Sequence, residues 1–319
     1  MTESLEDYNI SKTIKQKSSS LKKIGIVGCG VMGQDISLLT SSCGIDVVFI
    51  DVSEDKVKEI YYEMGLKLDK IINRWGLTKS EKRAILSRIK GSSDYQILSD
   101  CSIVIESLIT SNMKDIVEVK QEVFREIEKV ISRNAIIATN SSTIVISELA
   151  TVLKYQDRAL GIHFLSPALT VKVIEITRCL QTSDESFKLA CKFANMIDRE
   201  VISVGESPGS VSTRLIVSLI NESCQVLMEG LSNIENIDET MRLGYGLQLG
   251  PFEMADKIGL DKLIIWMDNL YKEFGERKYK TSPVIKKLVR AGLLGRKTGK
   301  GFYYYENGKI IKKKIEDGI

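Results

Sequence analysis

The sequence predicts an α/β chain: a doubly wound sheet with helices on both faces and a helical pair inserted into it, followed by an all-α C-terminal domain. Three observations predict it. A short apolar run, LKKIGIVG (21–28), ends in a glycine cluster. Apolar runs of strand length then alternate with helix-period segments as far as residue 206. Beyond Ser207-Pro208-Gly209, where proline and glycine together stop regular structure, the pattern turns helical.

The opening run reads as a buried parallel strand entering a tight turn. A helix follows over 31–43 and a strand, DVVFID, over 46–51, so parallel pairing through a right-handed crossover is expected. From 54 to 75, Val57, Ile60, Tyr61, Met64, Leu68, Ile71 and Ile72 recur at helical spacing with lysines opposite them. Thr78 and Glu81 carry the capping-box signature of a second helix, completing the inserted pair. Alternation resumes with strand SIVIE to 106, a helix over 112–131, strand AIIAT to 139, a helix over 146–153 and strand ALGIH to 163. Strand VKVIEI (171–176), a helix over 184–197 and strand EVISV close the sheet. Afterwards 211–230 and 251–274 read as helices, 238–244 and 283–291 as shorter ones, and FYYY (302–305) as a strand. The expected organisation is a flexible polar tail (1–20), an α/β domain (21–206) and a helical domain (207–319).

A chain of 319 residues exceeds what one hydrophobic core usually serves, which agrees with two domains. Apolar residues at 43% and charged residues at 27% give the balance of a soluble globular protein. The net charge of +3 is small beside 45 basic and 42 acidic side chains, and no basic stripe tracks aromatics, so nucleic acid is not an expected partner. Six cysteines include no C-x-x-C pair, which gives neither a metal site nor a disulfide framework. The first twenty residues lack the apolar core of a signal peptide and no window reaches membrane-span length, so no membrane association and a cytoplasmic location are expected.

G-C-G-V-M-G places Gly28, Gly30 and Gly33 in the G-x-G-x-x-G spacing, directly after a strand and at the start of a helix. The first glycine permits the turn, the second lets backbone approach a pyrophosphate, and the third lets helix and strand pack closely. Asp51 ends the second strand, where a carboxylate can accept both hydroxyls of an adenosine ribose. The domain therefore reads as a Rossmann domain. That carboxylate would repel a 2′-phosphate and no arginine follows closely to receive one, so NAD is favoured over NADP.

His163, the only histidine, ends a predicted strand in G-I-H-F-L-S-P, at the sheet edge where open α/β folds bind ligands. Alone it reads more readily as a satisfied core or surface residue than as a catalyst. Glu175 lies on the next strand and could hydrogen-bond the imidazole if the two strands are neighbours; it reads equally as an exposed position of an alternating strand. Together they would form a dyad suited to alcohol oxidation, which needs a base for the hydroxyl proton.

Over residues 21–306 the sequence resembles the 3-hydroxyacyl-CoA dehydrogenases, including bacterial 3-hydroxybutyryl-CoA dehydrogenases. The matching elements are G-C-G-V-M-G with Asp51, V-I-E at 104–106, T-N-S-S at 139–142, G-I-H-F-L-S-P with V-I-E at 173–175, S-P-G at 207–209, G-P-F-E-M-A-D-K-I-G-L-D at 250–261 and G-R-K-T-G-K-G-F-Y at 295–303. The resemblance implies NAD-dependent interconversion of a 3-hydroxyacyl and a 3-oxoacyl thioester. His163 would be the general acid/base, Glu175 its orienting partner, and Ser142 a hydroxyl bonded to the reacting oxygen. It places further cofactor contacts at Val31, Met32, Glu106, Lys120 and Asn140. It sets Arg74 against the nucleotide phosphates of the acyl carrier, a position that reads equally as a solvated helix face. Ser142 could also cap the helix after it. The helical domain is expected to cover substrate and to form a homodimer.

The chain departs from the family at Ser166 and Thr213, where asparagine is usual, so Ser166 and Thr213 would contact substrate through shorter hydroxyls. Between Glu106 and Lys120 it is longer than the family pattern, and no cofactor role is assigned to Asp115 or Glu118. An acyl carrier protein in place of CoA, a free hydroxy acid, or NAD binding without catalysis are the alternatives these departures leave.

Overall fold

A computed structural model describes residues 21, 23–73, 76–108 and 116–312. Contacts divide the chain into two compact units, one ending at Glu206 and the other beginning at Ser207.

The first unit opens with β1 (Lys23–Val27), α1 (Val31–Ser42) and β2 (Asp46–Ile50). The inserted pair follows as α2 (Glu54–Ile72) and α3 (Lys79–Ser87). Ser53 caps α2, and Thr78 with Glu81 caps α3 in a complete capping box. Then come β3 (Ile89–Ser92), β4 (Ile103–Glu106), α4 (Ile116–Val130), β5 (Ile136–Thr139), α5 (Ile146–Ala150), β6 (Ala159–Phe164), β7 (Val173–Arg178), α6 (Asp184–Met196) and β8 (Glu200–Gly205). The described strands form one eight-stranded sheet in the order β3-β2-β1-β4-β5-β6-β7-β8. Every pairing is parallel except that of β6 with β7. The six strands through β6 follow the doubly wound order whose direction reverses between β1 and β4, the point at which such sheets bind ligands.

Central strands β1, β4, β5 and β6 read as nearly unbroken apolar runs because both faces are covered. One core packs α1, α2 and α6 on the sheet through Ile26, Ile36, Met64 and Phe193; the other packs α4 and α5 through Val104, Phe124 and Leu149. Strand β3 has no sequence signal: IKGS is short, half-buried and carries a glycine. The strand expected at 171–176 lies two residues later.

The second unit comprises α7 (Val211–Met228), α8 (Ile234–Glu239), α9 (Pro251–Ile258), α10 (Leu260–Phe274), α11 (Pro283–Arg290) and a hairpin of β9 (Tyr304–Glu306) with β10 (Lys309–Lys312). The helix expected over 251–274 is broken at Gly259, whose φ of +99° no helix accommodates; the next amide, Leu260, bonds to Leu294 instead. The hairpin makes this unit mainly rather than wholly helical. Among the described residues no helix is long and apolar enough to cross a membrane.

Candidate active site

The glycine loop sits at the end of β1. Gly28 has φ +86°, its amide donates to Ile50 at 3.0 Å, and a Cβ there would lie 2.6 Å from Leu108. At Gly33 a Cβ would meet the Gly28 carbonyl oxygen at 2.4 Å, which is the close packing of helix on strand. Gly30 differs: a Cβ there would meet nothing within 4 Å, so the space beside it is open. Met32 is buried and Val31 exposed. Helix α1 starts with neither an acidic side chain in its first turn nor a side-chain cap, which leaves its first amides for an anion.

At the end of β2, Asp51 accepts the Cys29 amide at 2.9 Å through Oδ2 and the Val52 amide at 2.9 Å through Oδ1. The carboxylate is held half-buried beside the loop, and each oxygen keeps a lone pair for a ribose hydroxyl. The open face at Gly30, the uncapped helix start and the fixed carboxylate together fit a dinucleotide.

Across the reversal point lies a buried network. Glu106 accepts Lys120 Nζ and, at 2.6 Å, the Leu108 amide through Oε1, and the Thr139 hydroxyl at 2.7 Å through Oε2. Lys120 also donates to the Leu108 carbonyl at 3.1 Å, so its charge faces inward. The Asn140 amide donates to the Glu106 carbonyl at 2.8 Å, and Asn140 Oδ1 accepts the Phe164 amide at 2.9 Å, tying the turn after β5 to β6. Ser142 lies half-buried on that turn. Beyond it, Glu206 accepts both the amide and the hydroxyl of Ser147 at the start of α5, at 2.6 and 2.5 Å.

His163 and Glu175 stand directly opposite each other on the antiparallel pair β6 and β7. The Nδ1 to Oε2 distance is 2.7 Å, and the two side chains are 11% and 4% exposed. An ionised Glu175 fixes the tautomer with the proton on Nδ1 and the lone pair on Nε2. Ser166 is exposed on the turn after β6. Thr213 belongs to the second unit, buried in the first turn of α7 and accepting from Ser210 at 3.1 Å. Arg74 lies outside the described residues. No group of three or more His, Cys, Asp or Glu that could hold a metal ion occurs among the described residues.

Sequence reasoning missed three supporting residues: Thr139, Glu206 and Arg199. The buried Arg199 guanidinium donates to the carbonyls of Ala168 and Leu169, at 3.1 and 3.0 Å, and so anchors the loop that follows Ser166. A lone arginine in I-D-R-E-V-I carries no signal of such a contact. In the second unit, Asp238 accepts the amides of Phe252 and Glu253 and the Tyr303 hydroxyl, while Asp256 accepts the amides of Phe302 and Tyr303 and the Tyr305 hydroxyl. These two carboxylates explain why G-P-F-E-M-A-D and G-K-G-F-Y occur together. Burial, outweighing the three donors on each, pushes both up to about 6.

Residues 23–207 match the family described as 3-hydroxyacyl-CoA dehydrogenase, NAD binding domain, and residues 209–305 match 3-hydroxyacyl-CoA dehydrogenase, C-terminal domain. A 3-hydroxybutyryl-CoA dehydrogenase of Bradyrhizobium diazoefficiens is 35% identical over 291 residues, covering 91% of this chain and 98% of its own. The crystal structure of (S)-3-hydroxybutyryl-CoA dehydrogenase PaaH1 from Ralstonia eutropha is 38% identical with a TM-score of 0.81, and that of FadB2 from M. tuberculosis is 28% identical with a TM-score of 0.86. Each comparison covers 90% of this chain and 100% of the other. The chain belongs to the 3-hydroxyacyl-CoA dehydrogenase family, NAD-dependent oxidoreductases acting on CH–OH groups.

Proposed function

We propose that the protein interconverts a 3-hydroxyacyl thioester and its 3-oxoacyl form, with 3-hydroxybutyryl-CoA and acetoacetyl-CoA as the substrate pair. The observation that carries this reading is the 2.7 Å contact between His163 and Glu175, made by directly paired residues at the carboxyl end of β6. Bound NAD supplies the two-electron acceptor, seated on Gly28, Gly30, Val31, Met32, Gly33 and Asp51. Glu106, Lys120 and Asn140 shape the far side of its pocket. In the oxidising direction His163 Nε2 takes the hydroxyl proton as the C–O bond becomes a carbonyl; in the reducing direction it returns that proton to the oxygen. Glu175 is a positioning residue that holds the ring and offsets the imidazolium charge. The Ser142 hydroxyl donates to the reacting oxygen.

Ser166, Thr213 and Arg74 complete the substrate contacts in this reading, and the second unit serves substrate binding and dimerisation. Exposed Leu215, Leu231, Leu243 and Tyr245 on that unit support a second copy as partner. The family's asparagines give way to Ser166 and Thr213, which favours one other reading: the acyl group rides on a carrier protein rather than on CoA. The deciding experiment follows NADH consumption with acetoacetyl-CoA and with the same acyl group on a carrier protein, for the native chain and His163→Ala. Turnover on CoA that drops at least about a thousandfold in the variant, with NADH affinity kept, supports the first reading. Turnover on the carrier protein alone supports the second, and an unaffected variant removes the dyad from both.

A further inference from the structure

Thr139, the last residue of β5, is fully buried and makes two side-chain hydrogen bonds of opposite sense. Its hydroxyl donates to Glu106 Oε2 at 2.7 Å and accepts the backbone amide of Ser141 at 3.0 Å. A hydroxyl has one proton and two lone pairs, so both bonds form together with a fixed polarity: the carboxylate takes the proton and the turn amide takes a lone pair. We infer that Thr139 is a positioning residue that relays the buried Glu106–Lys120 pair to the Ser141 amide and thereby fixes the Ser142 hydroxyl.

The inference rests on the reading of Ser142 as donor to the reacting oxygen. Asn140 and Ser147 hold the two ends of the same segment, through Glu106, Phe164 and Glu206. Losing the Thr139 hydroxyl therefore leaves the segment attached while freeing Ser141, the residue immediately before Ser142. A donor displaced by a fraction of an ångström to an ångström costs rate more than ground-state binding.

The test compares Thr139→Val, which keeps the branched shape, with Thr139→Ser, which keeps the hydroxyl, and includes Ser142→Ala. For each, kcat and KM are taken from NADH consumption with acetoacetyl-CoA, alongside NADH affinity and melting temperature. Thr139→Val should lower kcat by about ten- to a hundredfold with KM within about threefold, and Thr139→Ser should restore kcat to within about threefold. If the valine variant does not fold, Thr139→Ala against Thr139→Ser isolates the hydroxyl in the same way. Equal kcat in the variants with and without the hydroxyl, while Ser142→Ala is impaired, overturns the inference. Full activity in Ser142→Ala overturns the reading of Ser142 beneath it.

Discussion

Replacing Glu175 by Gln keeps the volume of a side chain that is 4% exposed and removes its charge opposite His163. The lost interaction is a buried, charge-assisted hydrogen bond at 2.7 Å, a class that contributes about 1.5–3 kcal/mol. Only the part that grows as the imidazolium forms affects the chemical step. If most of it does, kcat falls by about 10- to 150-fold at 1.36 kcal/mol per decade. The amide can also donate to Nδ1 and select the opposite tautomer, which would deepen the loss. The assay is NADH consumption with acetoacetyl-CoA for Glu175→Gln, His163→Ala and the double variant. In the proposed mechanism Glu175 acts through His163, so the double variant should match His163→Ala within about twofold, a complete failure of additivity. A Glu175→Gln penalty that persists undiminished without the histidine would refute this account and place the carboxylate in a separate role.

The glycine loop separates packing from binding. Gly33→Ala sets a Cβ 2.4 Å from a backbone oxygen and should lower the melting temperature and NADH affinity together, whereas Gly30→Ala meets no protein atom and should weaken NADH with the fold intact; equal melting curves for both would contradict the packing argument. The pH dependence of stability tests Asp256. Its carboxyl is raised from 3.8 to about 6 by burial, so the folded state binds a proton that the unfolded chain has released. Its contribution is complete below pH 3.8 and lost as pH rises through 6, by about 3 kcal/mol at 1.36 kcal/mol per unit. Asp256→Asn cannot titrate, so the difference in urea-unfolding free energy between variant and native chain should change over that window and stay flat above it. A difference constant with pH would show that the three donors hold the carboxylate at its ordinary value.

The dinucleotide half of the site is legible in the sequence because its determinants are local. Gly28, Gly30 and Gly33 lie within six residues of one strand–turn–helix unit: Gly28 turns the chain at φ +86°, Gly33 packs on the Gly28 carbonyl, and Gly30 leaves open space beside the loop. Asp51 needs only the next strand to be parallel and adjacent, which the right-handed crossover supplies. Features set by distant partners are not legible in this way. The break at Gly259 depends on the Leu294 carbonyl, and the strand β3 depends on the edge of β2. Arg199 and Glu206 hold the backbone of segments far along the chain, and Thr139 bonds the distant Glu106 side chain, so no spacing in the sequence announces them.

The dyad falls between these cases, and register decides it. His163 and Glu175 are twelve residues apart, which allows many arrangements of two strands and a loop. Directly opposed residues of an antiparallel pair project to the same face, and a slip of one residue would send Glu175 to the other side of the sheet. The observed register is held by apolar neighbours on both strands: Ile162 against Ile176 and Phe164 against Ile174, all buried in the core that faces α1 and α6. These side chains alternate with the two polar ones, so moving Glu175 off the histidine's face would bring Ile174 and Ile176 out of that core. Hydrophobic burial worth roughly 1.5–3 kcal/mol per side chain thus fixes a contact in which neither isoleucine takes part. Packing of an apolar face sets the geometry of a polar pair on the opposite face, and that dependence can be seen only once the strand direction is known.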